Sequence, residues 1–431
     1  MVTTGRPANW AGNIVFSARD LHRPDSVAQI QELVAASERV RVLGTGHSFS
    51  PIADTTGDLV SLADLPRRIE VDAAAATVTV DGGARFADLA PVLHDAGLAL
   101  RTLGSLPHIA VAGACATGTH GSGDRCGTLA SSVAAVELVG ADGELVSVRR
   151  GEPEFPGSVL ALGCRGIVTA LTLDLVPAFE MRQWVYEDVP IDDLGEVLAA
   201  AYSVSAFSSF SDGRGAPPPG HRPTRTEKGP RFEQVWLKRL VEEGEPDPRW
   251  RGAHRADGPR HMTPGVPPAH TTEQGGVPGP WHQRLPHFRP EFAPSFGDEL
   301  QSEYLLPRAD ADAALAALLD IREVVAPVLH GCEIRSVAAD ELWLSAAYRQ
   351  DSVAVHFTWV ADPLAVGPVV TSIEDALAPF GARPHWGKVF TTSPETVRAL
   401  LPRLPDAEQL FRRTDPTGKF RNDMIDRYLP D

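Results

Sequence analysis

The sequence is poor in cysteine and contains no apolar run long enough to cross a membrane. Its 431 residues include four cysteines, with no CxxC pair and no zinc-ligand spacing among Cys115, Cys126, Cys164 and Cys332. We therefore expect free thiols rather than disulfides, as in a reducing compartment. No segment reaches the ~18 consecutive apolar residues of a membrane helix, and Met1–Asn13 lacks a basic-then-apolar signal pattern. These absences predict a cytoplasmic protein without a membrane partner.

Positive charge is also scarce. The chain has 40 lysines and arginines against 56 acidic residues, a formal net charge of −16. No basic cluster is long enough to follow a phosphate backbone, which argues against nucleic acid as a partner. An acidic protein also repels anionic substrates, so a neutral small molecule is favoured. Hydrophobic residues make up 43% of the chain and charged residues 22%, which are values of a globular protein. We expect a monomer.

The first part of the chain alternates helical and extended patterns. Asp25–Ala36 has helical apolar spacing after an Asp/Ser cap, and Val40–Leu43 has the pattern of a short strand. Thr77–Val80 is β-branched, Phe86–Ala96 is helical again, and Val168–Leu175 alternates with period two. Further predicted strands are Asp58–Leu62, Ala134–Val139 and Leu145–Val148. This alternation predicts an α+β domain.

The pattern changes after Pro177. Arg214–Pro230 is too rich in proline, glycine and charge for packed structure, and we expect an exposed loop there. An alanine- and leucine-rich helix is predicted over Asp310–Val325. Strands are predicted at Cys332–Val337, Leu342–Leu344 and Val353–Trp359. This order indicates a second α+β domain with an antiparallel sheet.

Two glycine-rich loops in the first domain point to a phosphate-bearing cofactor. Gly44–Ser50 follows a predicted strand, and its glycines allow a tight turn whose amides can approach a phosphate. Phe49 stands where a nicotinamide-dinucleotide fingerprint needs glycine, and no clean helix starts there, so that site is disfavoured. Ser105–Gly123 is dense in small residues, which suits a pyrophosphate lying across several amides. Either loop alone could be turn chemistry, but the pair favours a cofactor site.

Polar pairs two residues apart mark a second candidate site. A strand places Glu333 and Arg335 on one face, and the same spacing presents His356 and Thr358 together. Gln301 and Lys388 complete a set of alternating hydrogen-bond donors and acceptors, which suits a chain of hydroxyl groups. The alternative is paired surface charge on an amphipathic strand.

The motifs RVLGTGHSFS and SLPHIAVAGACATGTHGSG resemble the vanillyl-alcohol-oxidase/PCMH flavoprotein superfamily. Within it the chain is similar to the alditol oxidases and, less closely, to the sugar-lactone oxidases. The resemblance continues nearly from end to end, through NWAGN, LTLDLVPAFE, LQSEYLLP, CEIR, HFTW, RPHWGK and DPTGKF. It implies an α+β, two-domain PCMH-type FAD-binding fold with a cap domain built on an antiparallel sheet flanked by helices.

This resemblance also implies domain boundaries. Residues 1–178 would bind FAD, residues 179–384 would form the substrate-binding cap, and residues 385–431 would return to the FAD domain. The predicted loop Arg214–Pro230 is longer than the usual family loop at that place.

The resemblance implies FAD joined covalently, through its 8-methyl carbon, to the ring of His47. Tethering by His120 stays open as an alternative, although its neighbours match the family's pyrophosphate loop. The implied cofactor-binding residues are Gly44, Thr45, Gly46, His47, Ser48, Phe49, Ser105, Gly113, Thr117, Gly118, Thr119, His120, Gly121, Ser122, Gly123, Ile167 and Val168.

The implied activity is oxidation of a terminal primary alcohol of an alditol, such as xylitol, sorbitol or glycerol, to the aldose. Hydride would pass to the flavin and O2 would be reduced to H2O2, with Gly104 leaving a path for oxygen. Ser105, Glu333, Arg335 and Lys388 would hold the reacting end, and Gln301, His356 and Thr358 the farther hydroxyls. Arg335 stays charged and would stabilise the alkoxide, whereas Lys388 could assist it or accept the proton.

Three alternatives stay open: a sugar-1,4-lactone oxidase, a dehydrogenase on the same fold, and a polyol-binding protein without flavin.

Overall fold

The computed structural model describes residues 7–210, 230–291 and 298–430. The predicted loop Arg214–Pro230 lies outside the described residues apart from Pro230. Within the described ranges, no helix has the length and apolar character that crossing a membrane requires.

A small parallel sheet precedes the main sheet of the first half. Strands β1 (Asp20–His22), β2 (Val40–Leu43) and β3 (Asp58–Ser61) pair in the order β1-β3-β2. Helix α1 (Val27–Ala36) joins the first two strands, and the Ser26 side chain caps it by accepting from the Gln29 amide. The predicted helix and strands of this region are confirmed.

Five antiparallel strands form the main sheet of the first half, in the order β4-β5-β9-β7-β8. Their bounds are β4 Ile69–Asp72, β5 Thr77–Asp81, β7 Val133–Val139, β8 Leu145–Arg149 and β9 Ile167–Asp174. Two short strands, β6 (Leu98–Ala99) and β10 (Val176–Pro177), pair beside it. Helices α2 (Phe86–Asp95), α3 (Val111–Thr117) and α4 (Phe155–Val159) share its apolar core. The predicted loop Ser105–Gly123 therefore contains a helix.

The second half is organised around a ten-stranded sheet whose pairs are all antiparallel. The strands are β11 Glu180–Pro190, β12 Ser203–Ser208, β13 Arg231–Leu240, β14 Arg249–Trp250, β15 Ala253–Arg255, β16 Gly279–Pro280, β17 Glu299–Pro307, β18 Leu329–Val337, β19 Ser352–Val360 and β20 Arg383–Pro384. The order is β14-β15-β11-β13-β12-β18-β19-β17-β20, and β16 pairs with β11.

Helices cover one face of this large sheet. They are α5 Leu194–Ala199, α6 Ala311–Asp320, α7 Arg322–Val325 and α8 Pro363–Leu377. Alternate strand residues such as Val204, Ile334 and Val355 pack in one cluster with Val197 and Val370 of the helices. The opposite face carries the polar side chains of the candidate site, together with a smaller apolar cluster that includes Phe207 and Trp236.

Two secondary-structure predictions in the second half need correction. The helix predicted over Asp310–Val325 breaks at Ile321 into α6 and α7. The strand predicted at Leu342–Leu344 is wrong, since the Leu342 amide binds the Asp340 side chain and the segment turns. Leu342 and Leu344 are both buried in the core. Their spacing of two residues, which suggested a strand, comes from a turn that packs both side chains inward.

The C-terminal segment packs against the first half of the chain. Helices α9 (Pro394–Leu400), α10 (Leu404–Thr414) and α11 (Asp423–Tyr428) contribute to the core of the five-stranded sheet. Buried Asn422 donates to the carbonyls of Pro51, Ile52 and Asp54, and its oxygen caps α11. These contacts agree with a returning segment, while the boundaries at 178 and 384 stay predictions.

Replacing Asn422 with alanine should lower the free energy of unfolding by about 1–3 kcal/mol, because buried carbonyls lose their donor and α11 loses its cap. Urea denaturation measures the change. Ser393→Ala is the matched control, since Ser393 caps α9 from an exposed position. Equal losses for the two variants would contradict a special role for Asn422.

Candidate active site

A single cavity of about 560 Å³ brings the two candidate sites together. One wall contains the glycine turn after β2 and part of α3, and the other contains the polar face of the ten-stranded sheet. All seven residues predicted to bind or act on the substrate line this cavity: Ser105, Gln301, Glu333, Arg335, His356, Thr358 and Lys388.

The glycine wall leaves room for a bound group. A Cβ added to Gly44 would meet Ala110 at 3.5 Å, and one added to Gly113 has no heavy atom of the described residues within 4 Å. Gly46 adopts φ +71°, a left-handed conformation that suits glycine. A side chain at Gly113 would therefore project into open space, which suits a place where a cofactor approaches the backbone.

The NWAGN motif holds the glycine turn from the outside. The Asn9 side chain donates to the Ser48 carbonyl at 2.9 Å, and the Asn13 side chain donates to the Phe49 carbonyl at 3.0 Å. The ring of Trp10 stacks on that of His47, with centroids 5.5 Å apart and planes 16° apart. The motif was noticed in the sequence, but this role was not predicted.

His47 faces the cavity with an unused ring nitrogen. Its Nδ1 is buried and has no hydrogen-bond partner in the described part of the chain. Burial lowers the pKa of His47 to about 4, and the charges of His108 and Lys388 act in the same direction. The imidazole is therefore neutral near pH 7. A buried nitrogen without a partner, beside a glycine turn, is free to contact a group bound in the cavity.

The predicted pyrophosphate segment is only partly exposed to the cavity. Thr117, Thr119, His120, Gly113 and Val168 line it. Gly118, Gly121, Ser122, Gly123 and Ile167 are not among the lining residues. Instead the Ser122 hydroxyl donates to the Val204 carbonyl, and the Gly123 amide donates to that of Ser336 at 3.0 Å. These residues connect the segment to the large sheet, and their contact with the cofactor stays a prediction.

Strand register assembles the substrate wall. Across β12, β18, β19 and β17, Phe207 pairs with Glu333, Glu333 with His356, and His356 with Glu303. Gln301 pairs with Thr358 in the same way. Residues paired directly across antiparallel strands share a face, so the two predicted polar pairs meet as expected. The period-two rule applied to Gln301 would also have found Glu303, which the sequence analysis missed.

Arg335 lies between two buried carboxylates. Its guanidinium is 2.6 Å from Glu303 and 3.6 Å from Glu333, and His120 lies 3.1 Å from the same oxygen of Glu303. Burial alone would raise the pKa of Glu303, but His120 and Arg335 outweigh it and hold that pKa well below its usual range. Arg335 likewise holds the pKa of Glu333 below its usual range against burial. Both carboxylates are therefore ionised.

Neutral and cationic groups complete the wall. The His356 Nε2 is 3.0 Å from the Gln301 side-chain oxygen, which also accepts from Lys388. Burial lowers the pKa of His356 to about 3, with Lys388 acting in the same direction. Burial also lowers the pKa of Lys388, whose ammonium lies 5.1 Å from the Phe49 ring centroid.

Fold comparison shows the class of protein. A structure titled "Solvent-stable cholesterol oxidase" superimposes with a TM-score of 0.77 at 15% identity, covering 98% of this chain and 96% of the other. A cholesterol oxidase from B. sterolicum gives 0.75 at 14% identity with the same coverage. A family model described as an FAD binding domain matches residues 21–149, and one described as D-arabinono-1,4-lactone oxidase matches residues 298–428. The fold and the matched models are those of a PCMH-type, FAD-dependent oxidoreductase.

An alditol oxidase of Streptomyces sp. (strain IKD472 / FERM P-14339) is 51% identical over 422 residues, 97% of each chain. The chain belongs to the alditol oxidase family. An L-gulono-1,4-lactone dehydrogenase of Mycobacterium tuberculosis is 29% identical, covering 98% of each chain, and an L-gulonolactone oxidase of Mus musculus is 25% identical, covering 97% of each. The resemblance identified in the sequence is therefore confirmed.

Replacing Gly113 with valine should abolish most flavin binding without unfolding the protein, because the new side chain occupies the cofactor space of the cavity. Gly367→Val is the matched control: its added Cβ also has no described atom within 4 Å, but it lies on α8 away from the cavity. The ratio of visible to ultraviolet absorbance measures flavin content, and circular dichroism checks folding. Normal flavin content in folded Gly113→Val would contradict this placement.

Proposed function

We propose that this protein oxidises the terminal primary alcohol of alditols such as xylitol and sorbitol, using FAD and O2. One observation carries the proposal: the polar face of β17, β18 and β19 opens into the same cavity as the glycine cradle. The Streptomyces alditol oxidase, at 51% identity, supports the choice of substrate. FAD, when bound, supplies the acceptor for the hydride that leaves the alcohol carbon.

The reacting end of the substrate would lie against Arg335, Glu333, Lys388 and Ser105. Arg335 keeps its proton at any working pH, so it acts by stabilising negative charge on the alcohol oxygen as the proton leaves. Ionised Glu333 accepts a hydrogen bond from a neighbouring hydroxyl. Lys388 either adds positive charge or accepts the proton, and the lowering of its pKa by burial favours the second role.

The farther hydroxyls would meet Gln301, His356 and Thr358. A neutral imidazole has one donor and one acceptor nitrogen, and an amide and a hydroxyl also offer both functions. Each hydroxyl of an open-chain polyol needs both. A lactone ring presents fewer distal hydroxyls, so this set favours the polyol, and the sugar-1,4-lactone is the second candidate because of the lactone-oxidising relatives.

Space beside Gly104 supports O2 as the final acceptor, with H2O2 as product. A Cβ added at Gly104 would come no closer than 3.5 Å to a described atom, the methyl group of Thr119. That distance is ordinary van der Waals contact, so a side chain larger than a methyl group at Gly104, which lines the cavity, would narrow the space next to Ser105. A dehydrogenase that uses another acceptor is the alternative, since one relative has that activity in its name.

We further propose that FAD is bound covalently through His47. The neutral ring, its stacking on Trp10 and its orphaned Nδ1 support this assignment. The His120 Nδ1 lies 2.8 Å from the Gly121 carbonyl and its Nε2 lies 3.1 Å from a carboxylate oxygen of Glu303, so this ring is directed at the large sheet. His120 is therefore the weaker candidate for the link.

The cellular setting proposed here is the cytoplasm. All four cysteines are buried free thiols, which supports a reducing compartment. The monomeric state stays a prediction.

Anaerobic addition of xylitol should bleach the flavin of the wild-type protein, and aerobic turnover should consume O2 and form H2O2. Arg335→Met should slow bleaching by a factor of about 10²–10³, because alkoxide stabilisation is lost. Arg68→Met is the control, a half-buried arginine that is paired with Glu70 and does not line the cavity. Bleaching by L-gulono-1,4-lactone but by no polyol would favour the lactone alternative, and bleaching without O2 consumption would favour a dehydrogenase.

Acid precipitation tests the covalent link. Wild-type protein should keep its yellow colour in the pellet, whereas His47→Ala should release any flavin into the supernatant. His108→Ala is the matched control, because His108 helps to lower the pKa of His47 but does not line the cavity. Colour retained in the His47→Ala pellet would assign the link to another residue.

A further inference from the structure

A histidine absent from the sequence-based predictions connects two of the proposed substrate contacts. His287 is 4% exposed, and its Nε2 lies 2.7 Å from a carboxylate oxygen of Glu333. Its backbone amide donates to the Ser105 carbonyl at 3.1 Å, and the Phe288 amide donates to the same carbonyl at 3.3 Å. One short segment therefore holds both the Glu333 side chain and the Ser105 backbone.

Lys238 supports His287 from behind and is 1% exposed. Its ammonium donates to the carbonyls of Leu285 and Pro286 and lies 3.0 Å from the His287 Nδ1. Three acceptors match the three N–H groups of an ammonium, which has no lone pair. Burial lowers the pKa of Lys238 to about 7, so the ionised carboxylate of Glu333 supplies the second constraint. It can only accept, which places the proton of the neutral His287 ring on Nε2 and leaves Nδ1 to accept an N–H of Lys238.

The ring orientation is fixed by packing. Trp236 and Phe207 meet the His287 ring edge-on, with centroids 5.2 and 5.8 Å away. The Ser205 hydroxyl lies 3.4 Å from Nε2, on the same side as Glu333. Ser205 pairs with Trp236 and Phe207 with Glu333 in the sheet, so β12 and β13 form the base on which the ring rests.

We propose that His287 is a positioning residue for the oxidation and that Lys238 fixes its tautomer. This inference rests on the proposed function of Glu333. Two neighbours approach the same carboxylate oxygen of Glu333, the His287 Nε2 at 2.7 Å and the Arg335 Nε at 3.6 Å. The His287 hydrogen bond keeps the carboxylate from closing on Arg335, which leaves the guanidinium directed at the alcohol oxygen.

Removal of the His287 donor therefore affects catalysis through Arg335 as well as through Glu333. The carboxylate would move to the cation, because an ionised group in a buried site takes the nearest strong partner. The rate at saturating substrate should fall more than the affinity, since the lost field acts on charge that develops during the reaction.

The main experiment compares His287→Leu with His287→Gln by anaerobic stopped-flow reduction with xylitol. We expect His287→Leu to lower the limiting reduction rate about 10- to 100-fold, the effect of one hydrogen bond to a charged group, with normal flavin content. His287→Gln offers an amide donor and should recover most of the loss. Lys238→Met should resemble His287→Leu, whereas Thr169→Val should not.

Thr169 is a suitable control because it is a buried polar residue on β9 that bonds to Glu137 rather than to His287 or Glu333, and it does not line the cavity. Equal losses in His287→Leu and His287→Gln, or an unchanged limiting rate in both, would overturn the proposal. A fall confined to thermal stability would assign His287 a packing role and overturn it as well.

Flavin reduction in the wild-type protein tests the proposed function separately from this inference. If a lactone reduces the flavin and xylitol does not, the same variant ratios are measured with the lactone. Nitrogen NMR of ¹⁵N-histidine-labelled protein needs no substrate: the signal lost in His287→Gln should show protonation at Nε2 and not Nδ1. Protonation at Nδ1 would overturn the role assigned to Lys238.

Discussion

The placement of Arg335 between Glu303 and Glu333 is the constraint on which the rest of the site depends. All three side chains are buried, and a charge inside a protein is tolerated only when it is paired and hydrogen-bonded. One cation for two anions is insufficient, so each carboxylate takes a second partner: His120 for Glu303 and His287 for Glu333. The five side chains therefore form one connected network. Moving any one of them would leave a buried charge without its partner.

This network also aligns the two walls of the cavity. His120 follows α3 on the cofactor side, yet its imidazole reaches Glu303 on the large sheet. In the opposite direction, the amides of His287 and Phe288 hold the Ser105 carbonyl. A reacting carbon must be held about 3–3.5 Å from its partner, and a misplacement of about 1 Å is enough to slow the transfer strongly. Electrostatic pairing across the cavity supplies that alignment, and packing of the two cores preserves it.

Local patterns were sufficient for much of the fold and for part of the site. Period two placed Glu333 with Arg335 and His356 with Thr358, and β-branched runs located strands such as Thr77–Asp81. Neither Lys238 nor His287 could be found in this way. Their contacts depend on the order β13-β12-β18-β19-β17, which does not follow the chain, and on a segment that folds over it. Such proximity is a tertiary property that the spacing of residues along the chain does not encode.

The charges around Arg335 and Lys388 differ, and the difference indicates which role each cation could take in the reaction. Arg335 is strongly bound to Glu303 and faces Glu333, so much of its field is already neutralised. Lys388 instead donates to the neutral Gln301 amide, and no carboxylate within the described ranges forms an ion pair with its ammonium. Its charge is the less compensated of the two, and burial lowers its pKa. A group in that state gains from releasing or sharing its proton. Under the proposed function, Arg335 would therefore orient and stabilise the alcohol oxygen, whereas Lys388 would exchange a proton with it.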